Sequence, residues 1–307
     1  MHKNKILITG SSGFIGKELI KKLSKRKDVL LYLISNKTKI DYKSDNIRII
    51  FCSLEAKKKL KQKLSSLKIN HVIHCAWVGV DSKNRNSNKQ TKNLNIINNI
   101  IESLDKSNIK CFIGIGSQAE YGPKKQVITE TSKLNPITIY GKAKVSVYNN
   151  LKNNCIRKNI RFVWLRVFSG YGPGSGTKWI IPNTIQSLIY KKKIAFTGGE
   201  QIYNFIYISD IVMAITKSLF NKKVNGAYNL AYKKSYKIKS IVKLIFSILK
   251  IKRNPSFGSI KYRKDQIMNF LPTISRLKKD LNWEPKIGIK KGLNKNIIYL
   301  KKININT

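Results

Sequence analysis

Lys5-Ile6-Leu7-Ile8-Thr9 runs directly into Gly10-Ser11-Ser12-Gly13-Phe14-Ile15-Gly16, and Leu19, Ile20 and Leu23 follow at helical spacing. The apolar run reads as a central parallel strand and the amphipathic segment as the helix after it. Glycines at every third position between them allow a sharp turn, a close approach of ligand to backbone, and tight packing of helix on strand. The helix N-terminus adds free N–H groups that suit a pyrophosphate. This stretch therefore predicts an α/β chain with a doubly wound parallel sheet of Rossmann type, and a dinucleotide held around Gly10, Gly13, Phe14, Ile15 and Gly16.

The chain has 307 residues, 42% of them hydrophobic, enough for one large core or a core with a smaller lobe. The apolar run Ile6 to Ile8 is too short for a signal peptide, and Lys243 interrupts Ile241 to Ile251, the most membrane-like stretch, so a cytoplasmic protein is expected. Cys52, Cys75, Cys111 and Cys155 are widely spaced and read as reduced core residues. His71 and His74 fall on opposite faces of a strand, so no metal site is expected. The net charge of +46 raises the question of nucleic acid or a membrane surface. The lysines, however, are spread along the chain without an arginine-aromatic strip, and no nucleic-acid role is expected. Such a field would still attract anionic cofactors and substrates.

Val29 to Ile34 reads as the second strand, its C-terminal end facing the adenosine ribose. An acidic residue there would favour NAD. Ser35-Asn36-Lys37, with Lys39 beyond, suits a 2′-phosphate better, so NADP is preferred over NAD. Ile47 to Phe51 is the third strand and His71 to Trp77 the fourth. Gly79 to Thr91 is polar and reads as a mobile loop near the site. The fifth strand, Lys110 to Gly116, leads to Ser117 at the sheet edge where open α/β sheets bind ligands.

A helix is predicted after Pro136, with Tyr140 and Lys144 one turn apart on one face. The same spacing occurs at Tyr121 with Lys125 and Tyr148 with Lys152. Gly122-Pro123 breaks the first of these, and Tyr148 lies roughly 12 Å further along the helix at 1.5 Å per residue. Only Tyr140 can meet Ser117. Hydride transfer to a ketone creates an alkoxide that needs a proton, and the reverse reaction needs a base. A phenol of ordinary pKa about 10 serves near neutrality when positive charge stabilises its phenolate. Lys144 is expected to supply that charge, and Ser117 to orient the substrate oxygen.

These residues together resemble the extended short-chain dehydrogenase/reductases, the NAD-dependent epimerase/dehydratase family of nucleotide-sugar enzymes. The resemblance rests on Gly-x-x-Gly-x-x-Gly, on Ser117 with Tyr140 and Lys144, on Leu165 to Gly174, on Asn204 to Ile211, and on Leu281-Asn282-Trp283-Glu284-Pro285. It implies a Rossmann domain over 1–165, a substrate-binding lobe mainly over 166–307 with 203–230 returning to the first domain, and a homodimer through two helices of each Rossmann domain. His74-Cys75-Ala76-Trp77 is similar to the family's His-Leu-Ala-Ala, which implies that Ala76 lines the cofactor. Lys144 would also hold the nicotinamide ribose.

Departures from the pattern narrow the reaction. Family members that eliminate water carry Asp-Glu after the catalytic Ser or Thr, whereas this chain has Gln118 and Ala119, so a 4,6-dehydratase is not expected. Ser169 replaces an asparagine, and Tyr203 stands where many members carry an arginine for the substrate phosphates, leaving Arg263 to meet the diphosphate. The implied substrate contacts are Ser117, Gln118, Ser169, Tyr203 and Arg263. The implied activity is reduction of a 4-keto-6-deoxy nucleotide sugar with NADPH. The alternatives are a nucleotide-sugar epimerase with retained NAD and, in another class, a redox-silent Rossmann module that senses a dinucleotide or binds a polyanion.

Overall fold

A computed structural model describes residues 4–36, 42, 44–80, 84–105 and 108–305. In chain order the elements are β1 (Asn4–Thr9), α1 (Phe14–Leu23), β2 (Val29–Ser35), β3 (Ile47–Phe51), α2 (Lys57–Leu64), β4 (His71–His74), α3 (Lys92–Ser103), β5 (Cys111–Ser117), α4 (Ile139–Arg157) and β6 (Arg161–Val167). There follow β7 (Gly170–Tyr171), α5 (Ile180–Ile189), β8 (Ile202–Asn204), β9 (Ile206–Tyr207), α6 (Ile208–Phe220), β10 (Gly226–Leu230), β11 (Ser235–Lys237), α7 (Ile238–Ile248), α8 (Ser275–Leu281) and α9 (Ile289–Ile305).

Seven strands form one parallel sheet in the order β10-β6-β5-β4-β1-β2-β3. The order reverses between β1 and β4, and the crevice at the strand C-termini there is where such sheets bind ligands. Successive side chains of β1 feed different layers. Ile6 and Ile8 pack with Leu19, Ile20 and Leu23 of α1 on one face, and Leu7 packs with Leu60, Ile97 and Val147 of α2, α3 and α4 on the other. A strand buried on both faces has to be apolar throughout, which is why this stretch carries so strong a signal.

The face that holds α1 and α6 continues without a break into α5, α7 and α9 through Ile185, Ile241, Ile245 and Leu293, all buried. The C-terminal segment is tied back at Asp210, whose carboxylate accepts the Ile287 N–H at 2.9 Å. β4 is shorter than the sequence suggests. Cys75 still donates to the Thr9 carbonyl at 3.2 Å, but Trp77 and Val78 leave the sheet because Asn93 captures Val78 through both its backbone N–H and its carbonyl. Asn93 therefore tethers this loop rather than capping α3. Among the described residues no helix is long and apolar enough to cross a membrane, and no group of His, Cys, Asp and Glu is arranged to hold a metal. All four cysteines are unpaired.

Candidate active site

A cavity of about 660 Å³ opens over the C-terminal ends of β1, β2, β4 and β5. At one end lies the glycine turn. Gly10 adopts φ +72°, and a Cβ there would sit 2.6 Å from the Ala76 nitrogen. A Cβ on Gly16 would sit 2.1 Å from the Gly10 carbonyl oxygen, so neither position tolerates a side chain. Gly13 closes the turn by donating to Gly10 O at 3.0 Å, and no side chain caps the N-terminus of α1. A glycine cradle with open first-turn N–H groups fits a dinucleotide pyrophosphate. Phe14 and Ile15 continue this wall, Ser35 and Asn36 close it at the end of β2, and Ala76 faces them from beyond β4. Ile34, Ser35 and Asn36 present no carboxylate, and Lys37 and Lys39 lie outside the described residues.

At the other end Ser117, Tyr140 and Lys144 share the same cavity wall. Thr138 accepts the Gly141 N–H at 3.1 Å and starts α4 there, which places Tyr140 in the first turn. Burial pushes the Tyr140 phenol above its ordinary pKa, while the Ser117 hydroxyl and the Arg85 guanidinium pull the other way. Lys144 is buried. Its Nζ donates to the Ile115 carbonyl at 2.6 Å and stands 3.5 Å from the centre of the Trp77 ring. Burial lowers its pKa to about 7, against the opposing pull of Glu120. The two rival tyrosines are elsewhere. Tyr121 is buried and donates to Asn229 Oδ1 at 2.6 Å, and Tyr148 packs on Phe162 and Trp164.

Sequence reasoning missed three residues here. Arg85 reaches over the Tyr140 ring at 5.0 Å, closer than the 5.8 Å that separates Lys144 Nζ from it. Trp77 lies edge-on to Tyr140 and is held by a 2.9 Å hydrogen bond to Gln90 Oε1. Trp77 belongs to the expected end of the fourth strand, and Arg85 to the stretch expected to be a mobile loop. In its described part Gln90 is fully buried and donates to the carbonyls of Gly79 and Asn84, and Arg85 O accepts the Tyr140 N–H at 2.8 Å. Polar composition there serves internal hydrogen bonds, which a count of apolar residues does not register.

Glu120 is the third. It is fully buried, pairs with Arg166 at 2.7 Å, accepts from Trp164 Nε1, and takes the Ser117 N–H at 2.7 Å. Together with the Ser117 side chain accepting from Ala119 N at 3.2 Å, this forms a capping box that fixes the serine. Gln118 and Ser169 bind each other, amide nitrogen to hydroxyl at 3.3 Å. Across the cavity Tyr203 donates to the Ile267 carbonyl at 3.0 Å and accepts from Gln266. Arg263, also on the cavity, stands 3.6 Å from Asp265. Apart from Lys37 and Lys39, every site residue inferred from the sequence lines this one cavity.

The model of the NAD-dependent epimerase/dehydratase family matches residues 6–231. The chain belongs to that family. Among its curated relatives in the epimerase/dehydratase family is an uncharacterised UDP-glucose epimerase of Bacillus subtilis, 26% identical over 97% of this chain and 98% of the relative. Another is the dTDP-4-dehydro-6-deoxyglucose reductase of Escherichia coli, 26% identical over 95% and 96%. The UDP-glucose 4-epimerase of Thermotoga maritima, solved with UDP-glucose, shares the fold at a TM-score of 0.88 with 22% identity over 98% and 99% of the two chains. Proteins named for epimerisation and for reduction of nucleotide sugars are thus both among the relatives of this chain.

Proposed function

We propose that this chain is a nicotinamide-dependent oxidoreductase of a nucleotide sugar, reducing a 4-keto-6-deoxy sugar. The observation that carries the reading is the meeting of Ser117, Tyr140 and Lys144 on the wall of the cavity that also contains the glycine cradle. The N–H groups at the start of α1 would hold the pyrophosphate, Ser35 and Asn36 the adenosine ribose, and Lys144 the nicotinamide ribose. When bound, the nicotinamide supplies or accepts the hydride. Tyr140 gives its phenolic proton to the sugar oxygen in the reducing direction, and takes it back as phenolate in the other. Ser117, fixed by its capping box, orients that oxygen.

Gln118 and Ser169 support reduction over dehydration, because an amide locked to a hydroxyl offers neither acid nor base where water elimination needs a carboxylate. The Escherichia coli reductase adds support at the level of overall sequence. Ser35-Asn36, free of acidic groups, favours NADP, whereas several structural neighbours were solved with NAD. The second reading is epimerisation with retained NAD, favoured by the relatives named for that reaction.

Incubation with dTDP-4-keto-6-deoxyglucose and NADPH or NADH tests the choice. Stoichiometric loss of reduced cofactor is expected; interconversion of UDP-glucose without added cofactor would move the assignment to epimerase. Tyr140→Phe is expected to lower kcat by about 10² to 10⁴ with dinucleotide binding intact. Unchanged turnover in that variant would end the enzymatic reading.

A further inference from the structure

Glu120 and Arg166 are both buried, and they face each other with Arg166 Nε 2.7 Å from Glu120 Oε2. Such an ion pair is often no more stable than two matched apolar side chains of similar volume, because both charges lose their water. What the carboxylate can do and an apolar group cannot is accept hydrogen bonds. Oε1 accepts the Ser117 N–H at 2.7 Å, and the two oxygens share the Trp164 indole N–H at 3.0 and 3.1 Å. Gly116 makes the approach possible, since a Cβ there would sit 2.6 Å from Oε1 and 2.3 Å from the indole nitrogen.

The carboxylate is itself held from behind. Arg166 donates on to the Tyr121 hydroxyl at 3.1 Å and the Glu130 carbonyl at 3.3 Å, and Tyr121 donates to Asn229 Oδ1 at 2.6 Å. The Asn229 amide then donates to the carbonyls of Ile128 and Thr273, at 3.0 and 3.2 Å. A chain of directed hydrogen bonds thus runs from the stretch ahead of α8 to the backbone of Ser117. Its last link governs the hydroxyl: Ser117 Oγ accepts the Ala119 N–H at 3.2 Å, which leaves the hydroxyl proton free to turn toward the cavity that Ser117 lines.

We propose that Glu120, locked by Arg166, is a positioning residue that acts through Ser117 and fixes where its hydroxyl meets the substrate oxygen. The effect on turnover rests on the oxidoreductase reading; the placement of Ser117 does not. The charge of Glu120 also bears on two neighbours, favouring the proton on Lys144 and opposing the ionisation of Tyr140. Removing the charge while keeping the hydrogen bond separates the two influences.

Glu120→Leu with Arg166→Met removes both charges and keeps the volume, so the fold survives. With dTDP-4-keto-6-deoxyglucose and reduced cofactor, this variant is expected to lose about tenfold to a hundredfold in kcat, with KM within about threefold of wild type. Glu120→Gln with Arg166→Met, equally uncharged but still able to accept the Ser117 N–H, is expected to bring kcat back to within about threefold. In a Ser117→Ala background the Leu and Met changes are expected to cost less than about twofold further. Full kcat in the Leu and Met variant overturns the proposal; so does a Gln and Met variant that is equally slow, or a loss that multiplies in full on that of Ser117→Ala. NMR of protein carrying ¹⁵N-labelled serine reads the placement without turnover. The Ser117 amide proton, identified by its absence in Ser117→Ala, is expected far downfield and is expected to move upfield in the Leu and Met variant. An unmoved amide overturns the proposal whatever the assays give, whereas a moved amide in a protein that reduces no sugar supports the placement and ends the oxidoreductase reading alone.

Discussion

Two buried side chains near Ser117, Arg166 and Lys144, can carry positive charge, and the protein treats them in opposite ways. Arg166 is matched by a carboxylate: Glu120 at 2.7 Å, with the Tyr121 hydroxyl and the Glu130 carbonyl taking further donors. Burial works against its charge, but Glu120 and Tyr121 outweigh it and hold the guanidinium protonated. Among the described residues Lys144 has no carboxylate in contact; it meets the Ile115 carbonyl and the rings of Trp77, Tyr140 and Trp164 at 3.5, 5.8 and 6.0 Å. Burial then dominates and its pKa falls to about 7. The first cation is a fixed part of the frame beneath Ser117. The second is left adjustable, at the place where a bound group would complete its surroundings.

The largest test strikes the fixed pair. Glu120→Gln leaves Arg166 charged and unpaired, and is expected to cost about 3–5 kcal/mol in urea unfolding. The double replacement Glu120→Leu with Arg166→Met should recover most of that loss, since two matched apolar side chains need no desolvation. If Glu120→Gln unfolded together with the wild type, the contrast between the two cations would fail.

The adjustable cation is expected to behave differently. Lys144→Met should be at least as stable as the wild type at pH 7 while losing activity. Its stability relative to wild type should also depend on pH. In the unfolded chain the amine keeps its proton up to its ordinary 10.5, in the folded chain only up to about 7. Between those values the unfolded state binds the additional proton, so raising the pH stabilises the wild type by about 1.4 kcal/mol per unit relative to Lys144→Met. Thermal melts of both proteins from pH 7 to 10 measure this slope, and parallel curves would mean that the amine is not held near 7.

The smallest effect is expected at Trp77. Trp77→Phe keeps a ring against Lys144 but loses the hydrogen bond to Gln90, a change of about 1 kcal/mol in the same melts. A far larger loss would show that Trp77 supports the fold of its loop more than it surrounds the amine.

Much of this molecule was legible in the order of its residues because the decisive signals are local. The strand, turn and helix from Lys5 to Leu23 are contiguous, and Tyr140 with Lys144 needs only one helical turn. What escaped depends on partners far apart in sequence. Glu120 is unremarkable until Arg166 arrives 46 residues later and turns an acidic residue into the buried cap of Ser117. Arg85 lies in a polar run whose composition suggests solvent, yet whose hydrogen bonds are internal. Lys144 was placed beside Tyr140 because the helix sets them one turn apart, but spacing along a helix does not say where a long side chain ends, and its amine reaches on to the Ile115 carbonyl and the face of Trp77.

β10 pairs with β6, yet 58 residues separate Val167 from Gly226, and the chain builds α5 and α6 before it returns. During synthesis the flank of β6 that β10 will cover has no mate until residue 230 has left the ribosome. A growing polypeptide of this kind passes through an interval in which an apolar strand edge is available to any other extended segment, including one from a neighbouring nascent copy. Shortened versions that stop within that interval would carry the nucleotide cradle but keep the exposed edge, so the sheet's last strand decides where the gene can be cut as much as how the sheet is built.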